Sequence, residues 1–182
     1  LTESINSTLA GRLPWSELAR RLEGVRGTVP FRLHLRFGTM IETRSPWRSD
    51  TFKGSVYHIG DLMAMLHTSE NVVITRADDE EIEAEITLKK GSREVVALLV
   101  TQSEPLAVPD IETIDNRIET SHTAWQGWVK GLKYDGLYKD HVIRSALALK
   151  FLWYSPTGAL AAAATTSLPE GIGGKKNYDY RF

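Results

Sequence analysis

The chain has 182 residues, 42% hydrophobic and 25% charged, an ordinary globular composition with enough length for a sizeable core. Its formal net charge is −1, so no basic surplus points to nucleic acid and no polybasic block to an anionic membrane. There is no cysteine, which excludes a disulfide framework and a thiolate metal site, and no apolar run reaches the ~18 residues of a membrane-spanning helix.

The opening stretch, LTESINSTLAGRLPWSEL, lacks the basic-then-apolar order of a signal peptide. It begins with Leu1 instead of Met, so we expect a processed or cut N-terminus, from which the missing signal says little about the parent protein; the location expected for that parent is cytoplasmic. From there to residue 105 the pattern is that of strands. ELARRLEGV is the first candidate. FRLHLRF alternates Phe31, Leu33, Leu35 and Phe37 with Arg32, His34 and Arg36. GSVYHI, LMAML and NVVITRA are shorter candidates. EIEAEITLK is the cleanest alternation: Ile82, Ala84, Ile86 and Leu88 share one face, and Glu81, Glu83, Glu85 and Thr87 share the other. SREVVALLVTQ is almost continuously apolar, as a strand buried on both faces is. Gly27, Ser45-Pro46, Ser69-Glu70-Asn71 and Lys90-Gly91-Ser92 supply the turns. Short strands at this spacing predict an antiparallel β-sandwich, with no helix before residue 105.

The period then changes. Asp110 is placed to cap a helix in which Ile111, Ile114, Ile118, Trp125, Val129 and Leu132 recur at helical spacing. Gly131 and the Tyr134-Asp135-Gly136 turn end it. A second helix is expected from about Leu137, with a wide apolar stripe over Val142, Ile143, Ala146, Leu147, Leu149, Leu152 and Trp153, stopped by Pro156. The last stretch, from Ala159 to Phe182, has no period. Two helices with wide apolar faces cannot bury themselves alone, which again points to a larger parent protein.

VIRSALALKFLWYSPTGALAAAATTSLPEGIGGKKNYDYRF resembles glycoside hydrolase family 15, the glucoamylases, glucodextranases and bacterial or archaeal trehalases. The shared words are the RSAL-x-LK helix, the Y-x-PTGA turn, the TTSLPE segment and a closing G-G-x-x-N-aromatic-D-Y-R-aromatic run. They fit residues 138–182 closely; RRLEGVRGTVPFRLHLRFG and AWQGWVKGLKYDG fit more loosely. The resemblance implies a β-sandwich, a helical linker and a catalytic six-fold (α/α) barrel. Residues 1–105 would then be an incomplete sandwich. Residues 106–136 would be the linker helix, and 137–182 the first barrel helix with its active-site loop. The remainder of the catalytic barrel would be its partner, as further polypeptide of the same protein. The resemblance implies no cofactor.

Family 15 enzymes invert, using an acid and a base about 6.5–9.5 Å apart. The resemblance puts both glutamates downstream of Phe182, after a Trp-x-Arg-Asp motif that grips the sugar. No catalytic residue is therefore expected in this chain, which by itself should be inactive. Its substrate-binding candidates are Tyr178, Asp179, Tyr180 and Arg181. Tyr180 matches the tyrosine before the sugar-gripping motif, where a phenol offers a flat face and a hydroxyl. Tyr178 stands where many relatives have tryptophan. Asp179 and Arg181 suit substrate contact or mutual support, and Glu170 suits loop fixing. The five histidines are scattered without metal-ligand spacing, so no metal is expected. The primary expectation is a glucoamylase-like enzyme releasing glucose from α-glucans. The alternatives are a trehalase and a non-catalytic sandwich that binds carbohydrate through Trp15, Trp47 or Tyr57.

Overall fold

A computed structural model describes residues 1–6, 13, 15–37, 46–154 and 157–161. The chain forms two compact units, Leu1–Trp125 and Gln126–Phe182. Among the described residues, the first holds nine strands: β1 (Thr2–Ile5), β2 (Ser16–Glu23), β3 (Thr28–Arg36), β4 (Trp47–Thr51), β5 (Gly54–Ile59), β6 (Leu62–Thr68), β7 (Val73–Ala77), β8 (Glu81–Lys89) and β9 (Arg93–Gln102). Helix α1 (Ile111–Lys130) begins in this unit and ends in the second.

The strands form two antiparallel sheets, β1-β2-β9-β6-β5-β4 and β3-β8-β7, packed face to face as a β-sandwich. Alternation sets the core. Ala84, Ile86 and Leu88 of β8 meet Leu22 of β2 and Val96 of β9 in one cluster. Phe37, Ile82, Tyr57 and Ala64 form a second, with Leu98 and Val100 packed against it. Strand β9 is central, and its parity splits as its apolar run predicts. Val96, Leu98 and Val100 face the small sheet, whereas Val95, Ala97 and Leu99 face α1.

Gly24 shows why a glycine closes β2. A Cβ there would lie 1.8 Å from the Lys89 carbonyl oxygen, because the chain after β2 hydrogen-bonds the β8–β9 turn through Ser92 and Gly91.

Strands β1 and β4 carry no clear alternation and were not among the expected strands. Both lie at sheet edges, where pairing with β2 and β5 supplies the order that their own residues do not.

The second unit contains α2 (Lys139–Phe151) and a short hairpin, β10 (Trp153–Tyr154) with β11 (Ala159–Leu160). Here the structure corrects the expected helix. It ends at Phe151, not at Pro156, and Trp153 belongs to a strand. The Leu152 amide closes onto the carbonyls of Ala148 and Leu149, after which the chain extends. A helix carried on to Pro156 would drive the proline ring into the carbonyl of residue 152. Pairing the two strands through Gly158, at φ 76°, avoids that clash.

Candidate functional site

The substrate-binding candidates Tyr178, Asp179, Tyr180 and Arg181 lie outside the described residues, as does Glu170. What is described is the approach to them. Helix α2 leads into the β10–β11 hairpin, whose second strand opens onto that segment. Lys150 Nζ lies 3.6 Å from the Trp153 ring centroid, a cation–π contact tying the end of the helix to the hairpin. None of the α2 residues is buried; Leu149 is 55% and Phe151 62% exposed.

In the first unit the largest concentration of polar chemistry is the seat of α1 on the six-stranded sheet. Ala19 and Ala97 are directly paired across β2 and β9, and their small side chains let Ile114 and Ile118 approach. Asp110 caps the helix as expected, its Oδ1 accepting the Thr113 amide at 2.6 Å. That bond holds the Asp110 carboxyl below the usual carboxylate range. Glu17, fully buried on β2, accepts two hydrogen bonds from Arg117, at 2.9 and 2.8 Å. Asn6 Nδ2 and Trp15 Nε1 donate to the same carboxylate. On the other side of the helix, Arg21 donates to Asp115 Oδ1 at 2.6 Å and to Glu119, while Arg93 donates to Asp115 Oδ2. Sequence reading missed these clamps. Glu17, Ala19 and Arg21 alternate like a solvent face, and only the two alanines hinted that a helix covers it.

The outer face of the three-stranded sheet bears a second charged group. The glutamates of β8 lie there as expected. Register places His34 opposite Glu83 and Arg36 opposite Glu81. His34 Nε2 lies 3.0 Å from Glu81 Oε2, and ligand atoms of His34, Glu81 and Glu83 fall within 4.8 Å of one another. Arg76 of β7 sits beside them, 2.6 Å from Glu81, 3.8 Å from Glu83 and 2.7 Å from Asp78. A shallow depression of about 430 Å³ adjoins, lined by Arg36, Arg76, Asp78, Asp79, Glu80 and Glu81. The backbone amides of Glu80 and Glu81, then Arg76, hold the Asp78 carboxyl low. Asp78 and Asp110 are thus both displaced in the direction opposite to that of a general acid working near neutrality.

The aromatics considered for a sugar platform do not form a row. Trp15 is tied to Glu17 and sits under the Arg117 guanidinium. Tyr57 is buried against Phe37, ring centroids 4.4 Å apart. Trp47 is exposed and stacks on His58 at 3.7 Å. The lining of the depression is charged throughout.

Comparison with known proteins brings in relatives. The chain is 50% identical over 66 residues to a protein of Thermoplasma acidophilum, covering 36% of this chain and 11% of that one. It is 42% identical over 106 residues to a protein of Mycobacterium tuberculosis, covering 58% and 15%, and equally over 106 residues to one of Mycolicibacterium smegmatis, covering 58% and 16%. All three are trehalases. The chain therefore spans only 11–16% of the length of these relatives. No protein-family model and no solved structure matches it. Among the described residues, no helix is long and apolar enough to cross a membrane.

Proposed function

We propose that these 182 residues are part of a glycoside hydrolase that cleaves trehalose, with inversion at the attacked carbon. The observation carrying this reading is the 42–50% identity to trehalases of an archaeon and two mycobacteria. The run Asn177-Tyr178-Asp179-Tyr180-Arg181 fits trehalases and glucoamylases alike. The relatives favour the trehalase reading over the glucoamylase-like one.

In this reading Tyr180 lies beside the reacting sugar, its ring against the apolar face and its hydroxyl available to a sugar oxygen or to water. Tyr178 stacks at the wall of the pocket, Asp179 accepts from a sugar hydroxyl, and Arg181 holds Asp179 in place. The acid and base glutamates come from polypeptide beyond Phe182, as do the remaining helices of the barrel.

The test is an assay of the full-length gene product containing these residues against trehalose, maltose, isomaltose and soluble starch. Trehalose should be the preferred substrate, and proton NMR of the first turnovers should show α- and β-glucose released in equal amounts. Preferred hydrolysis of starch or maltose would return the glucoamylase reading. Release of α-glucose alone would exclude inversion. Tyr180→Ala in that protein should lower kcat/KM by roughly 10²-fold, the scale of one lost hydrogen-bonding group at a reacting centre. The 182-residue chain alone should release no glucose.

A further inference from the structure

We propose that His34, Glu81 and Glu83 form a binding site for a divalent transition-metal ion, with Zn²⁺ as its representative. The site lies on the outer face of the three-stranded sheet. The reasoning starts from the ligand set. Carboxylates alone draw hard cations weakly; an imidazole nitrogen beside two carboxylates is a mixed N/O set of the kind that suits zinc, cobalt or nickel. Here the imidazole and the nearer carboxylate already lie 3.0 Å apart.

Geometry favours the same ion. Zinc takes nitrogen and oxygen ligands at about 2.0–2.2 Å, which sets donor atoms roughly 3.3–3.5 Å from one another in a tetrahedron. The three donor atoms lie within 4.8 Å, so small rotations of the glutamate side chains close the set. Their Cα positions need not move, because β3 and β8 are paired without a break from Thr28↔Lys89 to Arg36↔Glu81. Ligands on adjacent paired strands are held more firmly than ligands on loops. His34 and Glu83 are exposed enough for an ion to enter from water, and water would complete the coordination.

Arg76 is the competitor. Its guanidinium stands beside Glu81 and Glu83 where the ion would sit, and it supplies the positive charge those carboxylates need. It also holds Asp78 at 2.7 Å, so it keeps a partner when an ion displaces it. The site is thus an exchange between a tethered monovalent cation and a free divalent one. This yields a sign that an ordinary acidic patch would not give. Removing His34 should weaken binding, and removing the Arg76 charge should strengthen it.

The experiment is calorimetric titration of the metal-stripped full chain with ZnCl₂, paralleled by thermal unfolding with and without zinc. One equivalent should bind, and Tm should rise with zinc concentration, since a ligand specific to the folded state stabilises it by mass action. His34→Ala should weaken binding by about 10–100-fold, on the scale of disrupted metal ligation. Glu83→Gln, a near-isosteric change, should also weaken it. Arg76→Gln should tighten it several-fold, and His141→Ala, in the second unit, should leave it unchanged. Mg²⁺ and Ca²⁺ should compete poorly. Absence of one-to-one binding would overturn the proposal. So would binding indifferent to His34→Ala, equal affinity for Mg²⁺, or weaker binding in Arg76→Gln.

Discussion

Helix α1 and helix α2 meet their surroundings in opposite ways. The first half of α1 seats Ile114, Ile118 and Ser121 against the sheet, with Glu17–Arg117 on one side and Arg21, Arg93, Asp115 and Glu119 on the other. In the second unit, α2 buries none of its residues, although Val142, Ile143, Ala146, Leu147 and Leu149 are at least as apolar as the α1 face. Among the described residues, the sheet covers the apolar seam of α1, whereas the stripe of α2 is left exposed. What fixes α1 is the pairing of a narrow apolar seam with charges that find partners on the strands beneath. Such charges also make the seat specific, because a helix rotated by one residue would leave Glu17 buried without Arg117.

That contrast can be broken most severely at Glu17. Glu17→Ala leaves Arg117 facing a buried gap, strips Trp15 of its acceptor and leaves Asn6 Nδ2 only the Ile114 carbonyl. Removing one member of a buried ion pair costs about 3–5 kcal/mol. Urea unfolding followed by circular dichroism should show a loss of that size, and a loss under about 1 kcal/mol would mean that the apolar seam alone holds the helix. The next largest effect compares the helices directly. Ile118→Ala empties a position that is 2% exposed and should cost about 2–5 kcal/mol. Leu149→Ala in α2 should stay within about 0.5 kcal/mol in the 182-residue chain, as surface substitutions do. Equal losses at the two positions would erase the distinction drawn between the helices.

The residues differ in how openly they announce these roles. Strand parity was legible because side chains alternate with period two: Ile82 to Leu88 against Glu81 to Glu85, and the two-sided run of β9. The cap at Asp110 was legible because its effect is local, one carboxylate reaching an amide three residues on. Register was not. Nothing in FRLHLRF says that His34 will stand opposite Glu83, 49 positions later, so a search for metal-ligand spacing along the chain passes over the group that the sheet assembles. Arg21 and Asp115 are separated by 94 residues for the same reason. Edge strands escaped because β1 and β4 borrow their order from a neighbour. The sugar-site residues were legible only as words shared with a family, and they fall outside the described part of the chain.

Two smaller predictions concern the entry into α1, and both act through protons. His67 on β6 lies near the Pro109 carbonyl, just before the Asp110 cap. Burial, then the nearby Lys53 charge, pushes the His67 imidazole below its ordinary value of 6.5. The unfolded chain therefore takes up this proton first as the solution is acidified. The stability associated with a neutral His67 is fully present above pH 6.5 and is lost as pH falls through the lower folded value. Thermal unfolding between pH 8 and about pH 5 should show Tm declining on the acid side, with a shallower decline in His67→Gln. An unchanged slope in the variant would assign the decline to other groups.

Asp110 should give the smallest effect, because the cap is exposed and governs one turn. Its carboxyl is held below 3.8, first by the Thr113 amide, so the folded chain releases this proton more readily than the unfolded one. The sign is opposite in origin to that at His67 but the same in direction. The contribution is complete above pH 3.8 and disappears as pH falls through the folded value, when the protonated carboxyl no longer accepts as a charge. Asp110→Ala should accelerate hydrogen exchange at the Thr113 amide while leaving the amide of Ile118, one turn further on, protected by the core. Asp110→Asn retains an acceptor oxygen without the charge, and should keep most of the protection while removing its dependence on pH in the acid range. If exchange at Ile118 rose together with that at Thr113, the seat of α1 would be a single cooperative unit from cap to core. The two arginine clamps would then act on the whole helix start and not only on the residues they touch.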